Sequence, residues 1–163
     1  MKKIVYLLMT GAVVFMVLAF TSTVEEKMPA ADGEEFWSYI SETSPYQQWM
    51  AWPGKSDMYP GQSPHGAYLK LYVNQKAYDA IQEGKKTMPN GAIVIKENYG
   101  KDQDTLMAIT PMYKVDGYNP DAGDWFWAKY GPEGKIMASG KVQGCIDCHK
   151  NKKDQDWLFT EVK

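Results

Sequence analysis

The chain has no arginine, and all 18 of its basic residues are lysines. Arginine's planar donor fork suits phosphate, so its absence, with a net charge of −2, argues against nucleic-acid binding. Histidine is almost as scarce: His65 and His149 are the only two, so any imidazole chemistry must use one or both. Two cysteines, Cys145 and Cys148, are too few for a disulfide framework. Internal repeats and low-complexity tracts are also missing, which excludes solenoid and tail-like architectures.

What is present points to one exported domain. Lys2 and Lys3 precede an almost unbroken apolar run from Ile4 to Phe20, the pattern of a secretory signal with its charges on the cytoplasmic side. The run suits a cleaved signal peptide over residues 1–23, or an uncleaved N-terminal membrane anchor; both place the remainder outside the cytoplasm, in a periplasm or its equivalent. No cysteine follows the run, which excludes a lipoprotein signal. Loss of Lys2 and Lys3 with such a leader would leave 16 basic against 20 acidic residues, or −4. Residues 24–33 read as a linker, and residues 34–163 as a single domain long enough to bury a core. Its composition, 44% apolar and 23% charged, is that of a soluble globular protein. Aromatic residues reach 13%, including six tryptophans. Flat rings in that number either pack a core or wrap a flat ligand.

Both cysteines fall in Cys145-Ile-Asp-Cys148-His149, the spacing of c-type haem attachment. Two intervening residues let both sulfurs reach vinyl groups on one ring edge, and the adjacent histidine then lies under the iron. Three other chemistries share parts of this pattern. A thioredoxin-type redox pair follows a strand in a βαβ unit, which the C-terminal position does not offer. A zinc site needs four ligands, and here Cys145, Cys148 and His149 supply three. A structural disulfide leaves His149 without a role. The motif therefore predicts one covalently attached haem c, with His149 as its iron ligand.

The rest of the chain reads as an α+β domain, a mainly antiparallel β-sheet with a few helices and the haem-attachment motif near its C-terminal end. Asp32 and Glu35 form a capping-box-like start for a helix through Ile40. The proline-rich stretch 44–64 reads mostly as loop, with a short helical turn near Gln47. Alternation predicts a strand from Gly66 to Val73, with Ala67, Leu69, Leu71 and Val73 on one face. Asn74 then caps a helix that carries Ala77, Tyr78 and Ile81 on one face and ends at Gly84. Further strands are predicted at 92–98, 106–115, 125–130 and 135–139. Pro111, inside the third of these segments counted from Gly66, suggests an edge strand or a bulge. Residues 156–162 read as a final extended piece.

The strand at Tyr68–Val73, the segment Met88–Glu97 with its Gly-x-x-x-x-Lys-Glu pattern, the aromatic strand at Gly123–Trp127, and the C-terminal motif followed by Asp156-Trp-Leu-Phe-Thr160 together resemble the cytochrome P-460 family and the related cytochrome c′-beta proteins. The resemblance implies a mainly antiparallel β fold around a five-coordinate haem, often in a homodimer. It also implies chemistry on small nitrogen species: oxidation of hydroxylamine in members whose haem is cross-linked to a strand lysine, nitric oxide binding in the others. The matching lysine is Lys96. Read without the family, a lysine between apolar Ile95 and Glu97 either snorkels to solvent or meets a partner. A redox partner protein would supply or remove electrons.

Opposite His149, His65 is open to three readings: an iron ligand, a distal proton donor, or a cap for the loop at Pro64-His65-Gly66. Met107, Met112 and Met137 offer thioether ligands or core packing, and Tyr68, Tyr72, Trp125 and Trp127 are candidate pocket walls. Glu97, next to Lys96, should point to the other face of its strand. No distal carboxylate stands out, which weighs against an oxidase needing a base.

Overall fold

In the computed structural model, residues 27–55 and 57–160 are described; the predicted leader and the last predicted residues, 161–163, lie outside them. The six-residue helix α1 (Gly33–Ser38) starts where the capping pattern puts it. Asp32 Oδ1 accepts from the N–H of Glu34 and Glu35, and Glu35 reaches back to the N–H of Ala30. The chain then loosens into one π-helical turn, Tyr39–Thr43, and a 3-10 turn, Tyr46–Gln48. Phe36 and Ile40, four residues apart on one face, are fully buried, and each such burial contributes about 2 kcal/mol. Before α1, the segment from Met28 is docked rather than loose: Pro29 C=O accepts from Tyr113 Oη, and Met28 and Ala31 pack on the core.

Among the described residues, seven strands make one antiparallel sheet: β1 (Met50–Ala51), β2 (Tyr59–Pro60), β3 (Tyr68–Val73), β4 (Ile93–Tyr99), β5 (Leu106–Lys114), β6 (Trp125–Tyr130) and β7 (Ile136–Gly140). Their order is β1-β3-β4-β5-β6-β7, with β2 also on β3. The architecture is the predicted α+β, mainly antiparallel sheet. β1 and β2 fall within the stretch 44–64 that reads mostly as loop, since two residues are too few to show a period.

The two faces of the sheet bury different cores. On one, Leu71, Val73, Val94, Met112, Trp125 and Trp127 pack against helix α2 (Gln75–Gln82) and against Trp157 and Leu158. On the other, Ile93, Ile95, Ile109, Phe126 and Tyr130 pack against α1 and the turns after it. Successive residues of β4 and β6 alternate between these cores, as a two-unit period requires. Asn74 caps α2 through Ala77 N–H and also accepts from Ile93 N–H, tying the helix to β4.

Two expectations are corrected. Pro111 lies neither on an edge nor at a bulge: β5 is interior, and Pro111 pairs with Ile95 in a ladder to β4 that is continuous from Ile93 to Asn98 and shifts register only at Tyr99. The ladder to β6 instead skips from Ile109 to Met112, so the missing N–H falls where pairing is interrupted. The predicted extended piece after residue 155 is a turn through Thr160. Asp156 and Trp157 both take left-handed backbone conformations, with φ of 51° and 66°. Before it, α3 (Gln143–His149) carries the Cys-x-x-Cys-His motif and runs into a 3-10 segment, Lys150–Gln155.

Candidate haem site

The geometry begins with α3. Its last turn carries Cys148 and His149 toward the α2-bearing face of the sheet, where β4 presents Lys96. Between them lies a cleft of two lobes, about 730 and 540 Å³, within the range of small-molecule and cofactor sites. Both lobes touch Trp52, Pro64, His65, Lys96, Cys148, His149, Phe159 and Thr160. The larger is walled by the 52–65 loop. The smaller is apolar, lined by Leu71, Val94, Met112, Trp127, Cys145 and Leu158 among others. All five sequence-predicted site residues, Lys96, His65, Cys145, Cys148 and His149, therefore border one cavity.

His149 is buried and tightly oriented. Its Nδ1 donates to the carbonyl of Trp157 at 2.7 Å, because a carbonyl can only accept. That fixes the tautomer and leaves Nε2 as the nitrogen with a lone pair. Trp127 and Phe159 meet the ring edge-on, with centroids 4.7 and 5.0 Å away. Burial lowers the pKa of His149, keeping the imidazole neutral as a ligand must be.

His65 has a parallel arrangement. Its Nδ1 lies 3.0 Å from Asn98 Oδ1, which also accepts from Gly66 N–H. Asn98 cannot be turned the other way, because its amide group is directed at the Lys96 and Ala108 carbonyls and at Thr110 Oγ1. His65 Nδ1 therefore carries the proton and Nε2 the lone pair. Burial, followed by the nearby charge of Lys96, pushes its pKa down to about 4. At neutral pH it offers a lone pair, not a proton, so of the three readings the distal proton donor fits least. A side chain on Gly66 would collide with the backbone of Tyr99, so glycine lets the loop press His65 against β4.

Lys96 has its pKa lowered to about 8 by burial, with Cys148 opposing, and its amine has no hydrogen-bond partner among the described residues. Met107, Met112 and Met137 all border the apolar lobe, Met112 buried and the other two half-exposed. Of the four aromatic residues expected to wall the pocket, Trp127 does. Trp125 is buried in the core with its indole N–H on the Asp156 carbonyl, and Tyr72 faces the opposite core, against Tyr46. Tyr68 lines neither lobe. Glu97 points away from the cleft, as its place in the alternation requires.

The model of the family described as Cytochrome P460 matches residues 43–160. The chain belongs to the cytochrome P460 family. No curated protein gives a significant match to the sequence. As a cytochrome P460 the protein is a c-type haem protein, and its cleft fits that group on three counts. The Cys145 and Cys148 thiols are both unpaired and border the cavity. His149 presents an unencumbered Nε2. Trp127 Nε1, a buried donor without a partner among the described residues, lies in the lining, where an empty apolar core would penalise it.

The sequence reading missed Asn98, the Trp157 carbonyl, and the residues that hold that carbonyl. A mid-strand asparagine, unfavourable in strands, was the available signal for the first. For the Trp157 carbonyl no side-chain signal exists, because the functional atom is backbone.

Proposed function

We propose that this cytochrome P460 carries a single covalent haem c outside the cytoplasm and binds small nitrogen species, nitric oxide foremost, on the side of the cleft that faces His65. The observation that carries this reading is the convergence of Cys145, Cys148 and His149 on one cavity whose facing strand supplies Lys96. Cys145 and Cys148 would hold the ring by thioethers and His149 would ligate the iron. Such a haem supplies an iron that binds diatomic ligands and exchanges single electrons. The apolar lobe excludes water and favours a neutral diatomic. Lys96, desolvated and with its amine pKa lowered, would lie beside the ring; a bond from its nitrogen to a ring carbon would replace one N–H and one C–H, releasing two protons and passing two electrons to an external oxidant of the dioxygen or peroxide class.

Turnover of hydroxylamine needs a base near the substrate. No carboxylate is among the described residues lining the cleft, and His65, opposite His149, offers only a weakly basic Nε2, its pKa pushed down to about 4. Ligand binding is therefore the better-supported activity, with oxidation dependent on His65. A second reading has its own observation: the His65 and His149 rings stand edge to face with centroids 6.4 Å apart. That spacing would accommodate iron between two imidazoles, as in an electron carrier served by a redox partner.

The test is expression with a c-type haem maturation system, intact mass, and a ferrous spectrum with and without nitric oxide. We expect one haem added, and a spectral shift on exposure to nitric oxide. Cys148→Ala should abolish two-point attachment and most covalent haem staining. Full staining in that variant would overturn the attachment, and a ferrous spectrum inert to nitric oxide would favour the carrier. Further hydrogens lost from the intact mass would report a Lys96–ring bond.

A further inference from the structure

Outside the cleft, and lining neither lobe, Lys114 and Asp156 form a buried ion pair with Nζ and Oδ1 2.6 Å apart. Each side chain is 7% exposed. Burying two charges recovers little net stability, so such a pair is better explained by what it holds in place. Asp156 is the hub of a tight turn. Its other carboxylate oxygen accepts from Met88 N–H at 2.7 Å, and its carbonyl accepts from Trp125 Nε1 at 2.9 Å. The next residue, Trp157, has its N–H on the Lys152 carbonyl and its indole pressed on Gly123, where a Cβ would lie 2.5 Å from the ring. Trp157 holds a φ of 66°, a conformation costly for a bulky side chain, so its neighbours must impose it. The product of these constraints is one carbonyl, 2.7 Å from His149 Nδ1.

We propose that Asp156 and Lys114 are positioning residues that hold the Trp157 carbonyl on His149 and thereby set how strongly His149 donates to a haem iron. The proposal rests on the haem reading above. A short bond from Nδ1–H to a carbonyl makes the imidazole a stronger donor and favours oxidised iron. Loosening the turn lengthens that bond, weakens the iron–histidine bond and raises the reduction potential. Lys114 is at the end of interior strand β5 and Met88 N–H is in the segment leading into β4, so Asp156 ties the haem-binding turn to the rigid centre of the sheet.

Charge and position give opposite signatures, which makes the test decisive. Asp156→Asn removes a negative charge and Lys114→Met a positive one. Acting through charge alone, the first raises the potential and the second lowers it. Acting through position, both raise it, and in both the ferrous iron–histidine stretching band moves to lower frequency. Opposite potential shifts, or an unmoved stretching band in both, overturn the proposal. Trp125→Phe, which leaves both charges in place and removes the indole donor to the Asp156 carbonyl, covers the case in which a charge variant fails to mature. It should shift the band in the same direction by a smaller amount; no shift there also counts against the proposal. Wild-type protein lacking covalent haem would refute the haem reading instead, so the two failures are distinguishable.

Discussion

Lys96 and Glu97 are adjacent on β4 and face regions finished to different standards. Glu97, 4% exposed, accepts from Tyr46 Oη and Tyr99 Oη, one to each carboxylate oxygen and both at 2.8 Å. Burial, followed by the hydrogen bond to Glu97 and then its charge, pushes both tyrosine hydroxyls far up, so they remain protonated donors. That region is closed and satisfied, as a structural polar network has to be. One residue away the cleft face holds the Lys96 amine and the Trp127 indole N–H, both without partners among the described residues, and two histidines with an uncommitted Nε2. Proteins rarely leave a fully buried donor such as Trp127 Nε1 in that condition without a ligand to meet it. The contrast on a single strand separates the face that maintains the fold from the face that does chemistry.

The contrast predicts that substitutions on the two faces report in different assays. Glu97→Ala should have the largest effect on stability. It strands the buried Tyr46 hydroxyl and opens a void, costing about 3 kcal/mol in denaturant unfolding. Haem attachment and spectrum should be little altered, and a large spectral change at unaltered stability would break the comparison. Lys96→Met should do the reverse, changing the spectrum while sparing the fold. It also carries a pH signature. The folded chain releases the Lys96 proton at about 8 and the unfolded chain near 10.5, so between those values the unfolded state holds more protons. Wild-type stability relative to Lys96→Met should therefore rise with pH across that window. A flat or falling difference in matched denaturant titrations would show that the amine is not desolvated.

This division was partly legible in the sequence. Alternation in β3 and β6, the Asp32 and Asn74 caps, and the opposed directions of Lys96 and Glu97 follow from two-residue and helical periods, which local sequence encodes. The Cys145–His149 motif is legible because its chemistry demands adjacency along the chain. What was not legible depends on contacts between distant segments. Asn98 matters because the 52–65 loop brings His65 to it, and Pro111 fits an interior strand because the β5–β6 ladder is interrupted there. Asp156 and Trp157 look like the start of a strand until their left-handed backbone is seen. Their conformation is imposed by Lys114, Met88, Trp125 and Gly123, at long range, and no window around residue 156 contains those partners.

The smallest expected effect comes from the residue that sharpens the comparison most. His65 sits on the cleft face yet is half-integrated into the fold, since Asn98 Oδ1 holds both its ring and the N–H of Gly66. His65→Ala leaves the Gly66 bond in place, so stability should fall by less than about 1 kcal/mol. If the iron is open on that side, the ferric coordination number stays unchanged. Hydroxylamine, which can donate to the Nε2 lone pair, then loses affinity only by the worth of one neutral hydrogen bond, a factor of about five, and nitric oxide, which has no proton to donate, is little affected. Conversion of a six-coordinate spectrum to a five-coordinate one would instead mean that His65 Nε2 fills the sixth position. The distal side would then be as fully satisfied as the Glu97 side, and the protein would be an electron carrier. Absorption spectra of the ferric and ferrous forms, taken side by side for wild type and His65→Ala, distinguish the two, because only a displaced ligand changes the coordination number.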